Sequence, residues 1–197
     1  MKTLSLFLSL LLFSTSTSGS AAFVLGGANA RTKLKQQLLD LAAQTNRGLT
    51  ATPQQTQQIQ QLFTRLEKLN PTRQPLKSPL LNADWSLEYT TSDSIIGKGD
   101  IFPKVGPIVQ TIDTTTLSAA NAEVVSYFGL RVPRRITAAL APVNDKLTNV
   151  QFQQFQIGPV RFDAPPSFKG QLDITYLDKD LRLTRGDKGN LFVLTRM

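Results

Sequence analysis

The spacing of apolar residues changes once along this chain, and the change divides it into two kinds of structure. Before Pro71, leucines recur at intervals of three and four, as they do on one face of an α-helix. From Leu80 onward the period is two, and glycines and prolines separate short segments. This order predicts N-terminal helices followed by an antiparallel β-sandwich or barrel.

The helical part, residues 33–70, contains two segments with their own start and stop signals. The first runs from Lys33 to Thr45 and stops before Gly48, a residue that suits a left-handed helix end. The second begins at Thr52, with a proline next and Gln55 three residues on, the pattern of a capping box. We therefore predict a two-helix hairpin whose apolar faces need a partner surface. Those faces consist of Leu34, Leu38, Leu41, Ile59, Leu62, Phe63, Leu66 and Leu69.

The strand part, residues 80–197, contains about eight segments of alternating character. The candidate strands are Trp85–Tyr89, Ile108–Ile112, Glu123–Phe128, Ile136–Val143, Thr148–Ile157, Gln171–Leu177, Leu181–Arg185 and Leu191–Leu194. No low-complexity linker separates them from the helices. We expect helices and barrel to fold as one unit, mainly β with N-terminal α.

The composition excludes several kinds of chemistry. The 197 residues include no cysteine and no histidine. Thiol nucleophiles, histidine-dependent triads and the usual zinc or haem ligands are therefore excluded. Carboxylates near the last strands keep catalysis open as an alternative, at Asp173, Asp178, Asp180 and Asp187. We expect a protein without cofactor or metal, and not an enzyme.

The chain has a formal net charge of +8, which favours an anionic partner. Most basic residues are scattered, and only Arg131, Arg134 and Arg135, around Pro133, form a cluster. This cluster is either a solvated loop or a docking point for anionic lipids. Interleaved aromatic and basic residues of the kind that read RNA are missing, so we expect no nucleic-acid partner.

The N-terminus has the layout of a targeting sequence. Residues 1–22 combine Lys2, an apolar stretch and small residues, as in a secretory signal peptide. Residues 23–32 begin with Phe23 and are basic and free of acidic residues, as in transit peptides. This two-part arrangement resembles that of algae with secondary plastids, and it predicts a plastid location in the stroma, at the thylakoid surface or at plastoglobules. Plain secretion is the alternative.

Three segments of the strand part resemble the fibrillin family of plastid lipid-associated proteins. They are the strand around Trp85, within Leu80–Ser92, then Gly106–Ile112, and the C-terminal stretch Leu181–Leu194. The likeness extends from Lys33 to Met197 and includes the helical half. It implies a lipocalin-like barrel and non-enzymatic binding, storage or organisation of quinones, carotenoids or acyl lipids at plastid membranes or plastoglobules.

We predict that the barrel interior binds the lipophilic molecule. The expected ligand-binding residues are Trp85, Leu87, Tyr89, Ile108, Val125, Phe152, Phe155, Ile174, Tyr176, Arg185 and Asp187. Trp85 also has a second interpretation, as a plug that closes the barrel floor. Arg185 and Asp187 are expected either to close a barrel end or to meet a polar ligand head.

Two further functions remain open at this point. A barrel filled by its own side chains would leave a structural coat protein of lipid globules. An inward-facing carboxylate beside Tyr89 or Tyr176 would favour an enzyme. The sequence does not decide the identity of the ligand or the oligomeric state.

Overall fold

The computed structural model describes residues 18–197, with side chains from residue 29 onward. An N-terminal helix pair is followed by one antiparallel sheet of nine strands. The predicted signal peptide, residues 1–22, lies mostly outside the described residues, and its cleavage site stays a prediction. Within the described part, no helix has the length and apolar character needed to cross a membrane.

Both predicted helices are confirmed. Helix α1 comprises Ser18–Ala43, so it begins earlier than predicted, and its backbone includes the transit-like segment 23–32. Helix α2 comprises Pro53–Glu67. The capping box is present, because the Gln55 amide donates to the Thr52 hydroxyl at 3.2 Å and the Thr52 amide donates to Gln55 Oε1 at 3.0 Å.

Gly48 permits the turn between the helices to lie against the sheet. Its φ is +104°, and a Cβ at this position would lie 2.3 Å from the Thr90 carbonyl oxygen. Only glycine combines this backbone angle with so close an approach. The turn therefore fixes the helix pair against the first strand.

The strands follow in sequence order, and their bounds are as follows. They are β1 Ala83–Thr90, β2 Val109–Asp113, β3 Ser118–Tyr127, β4 Leu130–Pro142, β5 Leu147–Ile157, β6 Val160–Asp163, β7 Lys169–Leu177, β8 Leu181–Gly186 and β9 Leu191–Arg196. A short helix α3, Asp93–Ile96, lies in the loop between β1 and β2.

Eight of the nine strands close into an antiparallel barrel. The order is β4-β3-β2-β1-β9-β8-β7-β5, and pairing of β4 with β5 closes the ring. The predicted barrel is confirmed. Strand β6 was not predicted, because it lies between Gly158-Pro159 and Pro165-Pro166, and it pairs only with the end of β5.

A β-bulge in β1 and another in β7 change which side of the barrel wall the following residues face. In β1 the register shifts between Leu87 and Tyr89, and in β7 it shifts between Ile174 and Tyr176. Each bulge adds one residue to its strand, so the residue after it faces the opposite side from that expected by alternation. Both tyrosines consequently face out of the barrel.

The wall therefore separates two apolar cores. The outer core, between the helix pair and the outer face of the wall, comprises Leu34, Leu38, Ala42, Ile59, Phe63, Leu66, Tyr89, Tyr176, Leu181, Leu183, Leu191 and Val193. The inner core, inside the barrel, comprises Leu81, Trp85, Leu87, Ile108, Ile112, Ala119, Ala138, Leu140, Val150, Ile174, Leu177 and Leu194.

The two ends of the barrel differ. We call the end with Trp85 the floor: Trp85 is fully buried, and its indole N–H donates to the Leu81 carbonyl at 3.1 Å. The Arg196 guanidinium lies 4.8 Å from the Trp85 ring centroid and donates to backbone carbonyls beneath it. We call the opposite end the mouth. It carries the β3–β4 and β5–β6 hairpin tips and the β1–β2 and β8–β9 loops.

Candidate functional site

A cavity of about 470 Å³ lies inside the barrel and is partly open to solvent. Its walls include apolar side chains from four strands and from Ile108, just before β2: Leu87, Ile108, Ile136, Phe152, Phe155, Phe192 and Leu194. The volume lies within the range of small-molecule sites. The interior is thus only partly filled by the protein's own side chains, and one chain-like molecule has room to enter.

Arg182 occupies the deep end of the cavity. Successive residues of strand β8 face opposite sides of the wall. Leu181 and Leu183 pack into the outer core, so Arg182 and Thr184 point into the barrel. The Arg182 guanidinium lies 5.0 Å from the Trp85 ring centroid, and its Nη2 donates to Gln110 Oε1. Arg182 is 1% exposed, so its charge lies away from water.

The Arg182 guanidinium uses only part of its hydrogen-bonding capacity. Among the described residues, its Nε and Nη1 have no hydrogen-bond partner, and neither has the Thr184 hydroxyl. Burial lowers the Arg182 pKa to about 9, so the group is still cationic at pH 7. A buried cation without a carboxylate partner costs free energy of folding. This cost marks Arg182 as a residue with a use other than stability.

A second polar group lies toward the mouth. The Lys104 ammonium lies 2.8 Å from Glu123 Oε2, and Arg134 Nη2 donates to Glu123 Oε1. Lys104 also donates to the Ile95 carbonyl at 2.7 Å, which holds the α3 segment over the cavity. Among the described residues, the cavity lining thus contains the carboxylates of Glu123 and Asp187 against an excess of cations, namely Lys104, Arg134, Arg135, Lys169, Arg182 and Lys188.

The structure brings some of the predicted ligand-binding residues to the cavity. Leu87, Ile108, Phe152, Phe155 and Asp187 line it. The inward positions of Phe152 and Phe155 are compatible because the β4–β5 pairing contains a bulge that adds Gln153 between them. That these residues bind a ligand stays a prediction.

Other predicted residues lie inside the barrel but away from the cavity wall. Trp85 and Ile174 belong to the inner core, and Val125 is buried beneath the Lys104 segment, to which it pairs. For Trp85 this position agrees with its interpretation as a floor plug.

The predicted inward positions of Tyr89 and Tyr176 are wrong. The two bulges turn both side chains into the outer core, beneath the helices. Tyr176 donates from its hydroxyl to Asp178 Oδ2 at 2.7 Å, and Lys35 on α1 lies 2.8 Å from the same oxygen. Burial is the main cause that raises the pKa of the Tyr176 hydroxyl.

The predicted place of Arg185 at a barrel end or ligand head is also wrong, whereas Asp187 does lie at a barrel end. Arg185 faces outward and binds Glu67 on α2 through two hydrogen bonds of 2.7 and 2.8 Å. Asp187 lies in the β8–β9 loop at the mouth. Arg185 thus attaches a helix to the barrel instead of closing a barrel end.

The arginine cluster is not a solvated loop. Strand β4 begins at Leu130, six residues before the predicted Ile136, and includes Arg131, Arg134 and Arg135. Because alternate residues of a strand face opposite sides, Arg134 turns to Glu123, whereas Arg131 and Arg135 are exposed. Only the two exposed arginines are available to an external partner.

The mouth carries exposed apolar side chains next to these arginines. Phe128 at the β3–β4 tip is 93% exposed, and Ile101 nearby is 88% exposed. Leu130, Val160 and Phe162 continue this surface across the β5–β6 tip. We call these five residues the mouth surface.

Phe128 violates a local conformational preference. Phe128 and Gly129 have φ values of +50° and +87°, the signs of a type I′ hairpin turn. Asn, Asp or Gly is favoured at the first position, and a phenylalanine there is unfavourable. Within the chain its ring meets the Phe102 ring edge-on at 5.3 Å, yet 93% of the side chain stays exposed at a strained position, which points to an external contact.

Sequence reasoning missed Arg182, Thr184, Gln110, Asn121, Glu123 and Lys104 as cavity residues. The signal for Arg182 was present in the alternation Leu181-Arg182-Leu183-Thr184, which assigns leucines and polar residues to opposite faces. Because a helix pair covers the outer face, the leucines face out and the polar residues face in. Metal binding finds no support in the described residues, where no cluster of three metal-ligating side chains occurs.

Comparisons with known proteins agree over most of the chain. The PAP_fibrillin family model matches residues 32–159 and 129–195. The chain is similar to probable plastid-lipid-associated protein 5, chloroplastic, of Arabidopsis thaliana, at 38% identity over 87% of this chain and 72% of that protein. It is also similar to plastoglobulin-1, chloroplastic, of Pisum sativum, at 30% identity over 83% of this chain and 60% of that protein. No solved structure matches.

Proposed function

Because the chain belongs to the PAP_fibrillin family of plastid lipid-associated proteins, we propose that its barrel binds one lipophilic molecule at a plastid lipid surface. The family and the chloroplastic relatives make it a plastid protein with a lipid-associated structural or binding role. The cavity of about 470 Å³, lined by phenylalanines and aliphatic side chains, is the observation that carries the proposal. Quinones, carotenoids and acyl lipids are the candidate classes.

The energetics favour apolar burial as the main source of affinity. Each Å² of apolar surface removed from water contributes about 25 cal/mol, so a chain of some 400 Å² yields roughly 10 kcal/mol before association costs. The apolar cavity wall provides this surface. Surface charges contribute about 1 kcal/mol each and would select the membrane.

The polar groups of the cavity support binding over catalysis. Glu123 is held by Lys104 and Arg134, so its carboxylate is committed to two cations. General acid–base catalysis requires two titratable groups with separated pKa values in one cleft. A coat role with a side-chain-filled barrel is less well supported, because the cavity is present.

The cavity proposal is tested by plugging the barrel. Ala138 is 4% exposed and faces the cavity, whereas its neighbour Ala139 faces outward. We expect Ala138→Phe to weaken binding of Nile red or decylplastoquinone about tenfold or more, because the ring occupies the ligand's space. Ala139→Phe is the matched control and should bind like the wild type. Equal binding by the two variants would place the ligand elsewhere.

We further propose that the mouth surface inserts into the lipid surface. Its apolar residues lie beside Arg131 and Arg135, so insertion would bring the cavity opening to the lipid and the arginines to anionic head groups. A molecule could then pass between cavity and lipid without crossing water. Plastoglobules and thylakoid membranes are the candidate surfaces.

Phe128→Asn separates docking from stability. Asparagine suits the φ of +50°, and this relief offsets the loss of the exposed ring contact with Phe102, so the variant should unfold at about the same denaturant concentration as the wild type. Co-sedimentation with vesicles of galactolipid and phosphatidylglycerol should fall about threefold or more. Leu117→Asn is the control, because Leu117 also has a positive φ of 51° but lies at the floor end of β3. Unchanged sedimentation of Phe128→Asn would refute insertion of this tip.

A further inference from the structure

We infer that the molecule bound in the barrel is a long-chain amphiphile with a carboxylate head, held head-down against Arg182. This inference rests on the proposed function and specifies its ligand class. Its first support is position: Arg182 lies at the deep end of an apolar cavity that opens at the opposite end. A head group at Arg182 would leave the chain to run along the apolar wall toward the mouth.

The second support is the unused hydrogen-bonding capacity. In the described part of the chain, Arg182 Nε and Nη1 and the Thr184 hydroxyl lack partners, although all are buried. Buried polar groups in proteins are almost always satisfied, and an arginine guanidinium is matched to a carboxylate. Arg182 and Thr184 lie two residues apart on one strand face, so both can donate to a single anion.

The third support is the charge balance of the cavity. Glu123 already binds Lys104 and Arg134 near the mouth, and Asp187 is exposed in the β8–β9 loop, so among the described residues Arg182 has no carboxylate partner. Gln110 accepts one hydrogen bond from Arg182, and its amide donates to Asn121 at 2.9 Å, which fixes the Gln110 orientation. The neutral pair Gln110–Asn121 orients the Arg182 guanidinium but does not neutralise its charge. A monoanionic ligand would neutralise that charge.

A carboxylate fits better than a larger anion. One guanidinium and one hydroxyl form the donor set at the deep end, and the Trp85 ring closes the space beside them. A phosphate would bring a second charge and additional oxygens, for which the described residues lining the cavity at this end provide no second cation, because Arg196, which also contacts the Trp85 ring, does not line the cavity. Lys104 and Arg134 are committed to Glu123, and the remaining cations of the cavity lining, Arg135, Lys169 and Lys188, are exposed.

The test compares ligands that differ only in the head group. The full-length protein, freed of bound lipid, is titrated with palmitate, hexadecanol and hexadecyl phosphate by displacement of Nile red. The wild type should bind palmitate about tenfold to a hundredfold more tightly than hexadecanol, the factor expected for a charge-assisted hydrogen bond. Arg182→Met should lose this preference and still bind hexadecanol. Arg73→Met, which changes an exposed arginine outside the barrel, should keep the preference.

A spectroscopic signature distinguishes direct contact from a structural effect. Palmitate labelled with ¹³C at the carboxyl should stay ionised in the wild type at a lower pH than in Arg182→Met, because the guanidinium stabilises the anion. Thr184→Val should weaken the acid preference about threefold to tenfold.

The possible outcomes are separable. If the wild type binds none of the three ligands, the proposed function itself fails. If it binds hexadecanol and palmitate equally, the proposed function stands and the head-down carboxylate is refuted. Tighter binding of hexadecyl phosphate than of palmitate would also overturn the carboxylate assignment.

Discussion

The two sides of the barrel wall use similar residues for opposite purposes. On the outer side, Phe63 and its neighbours are fully buried, and the polar groups are paired, as in Lys35–Asp178 and Arg185–Glu67. On the inner side, a cavity remains and Arg182 lacks a carboxylate. The outer side therefore has the properties of a stabilising core, and the inner side has those of a binding site.

This difference shows where a small protein can accept imperfect packing. Interiors are normally packed to the density of organic crystals, and each cavity costs stability. The helix pair supplies a second core outside the barrel, which offsets the loss inside. The β-bulges are part of this arrangement, because they move two tyrosines from the cavity side to the helix side.

The largest expected change in the free energy of unfolding comes from truncating one phenylalanine on each side of the wall. Phe63→Ala should lower the free energy of unfolding by about 3–5 kcal/mol, because it leaves a hole in a close-packed core. Phe155→Ala should cost only about 1–2 kcal/mol, because its ring borders existing space and mainly contacts Phe162 and Phe168. Urea unfolding of both variants measures the difference. Equal losses would show that the inner side is packed as tightly as the outer.

At the deep end of the cavity we expect an intermediate change in the free energy of unfolding, and it should be a gain in stability. Arg182→Met should raise the free energy of unfolding of the ligand-free protein by about 1–2 kcal/mol, because a buried cation is replaced by an apolar chain. The lost contact with the Trp85 ring limits the gain. Thermal unfolding of lipid-free protein measures the effect. A destabilised variant would make Arg182 a structural residue of the floor.

The smallest effect concerns the outer ion pair and depends on pH. Burial raises the pKa of the Asp178 carboxyl, but the hydrogen bonds from Lys35 and Tyr176 prevail and hold it below its usual 3.8. Its stabilisation is therefore present above pH 3.8 and is lost as the pH falls through the lower folded-state value. Asp178→Asn should cost about 1 kcal/mol at pH 7.

The same variant provides the pH control. Asparagine can still accept the backbone hydrogen bonds that Asp178 Oδ1 receives from residues 180 and 181, but it cannot pair with Lys35. Urea unfolding from pH 7 to pH 3 should therefore show wild type and variant converging at acid pH. A constant difference across this range would mean that the Lys35 pair does not contribute.

Much of the architecture could be predicted from local patterns. The helix faces, the capping box at Thr52 and most strands follow from apolar spacing and from Gly and Pro positions. The closed barrel could be expected because many short antiparallel strands need a way to cover their edges. The short strand β6 was missed, since prolines and glycine flank it on both sides.

The site was harder to predict, because alternation alone does not identify the inner face. In Leu181-Arg182-Leu183, the usual expectation would place leucines inside and arginine in water. The helix pair reverses this, since it makes the outer face of β8 as dry as the inner one. Tyr89 and Tyr176 were misplaced for a different reason: a bulge adds one residue, and hydrophobicity patterns do not reveal it.

The sequence by itself determined the apolar periodicities, the points where helices and strands end, and the family resemblance, because these depend on neighbouring residues and on local backbone preferences. Only the tertiary structure decided which face of each strand meets the helices and which meets the cavity. That choice depends on contacts between residues far apart in the chain, such as Arg185 with Glu67 and Arg182 with Gln110. Such long-range contacts assign Arg182, and not the tyrosines, to the interior of the barrel.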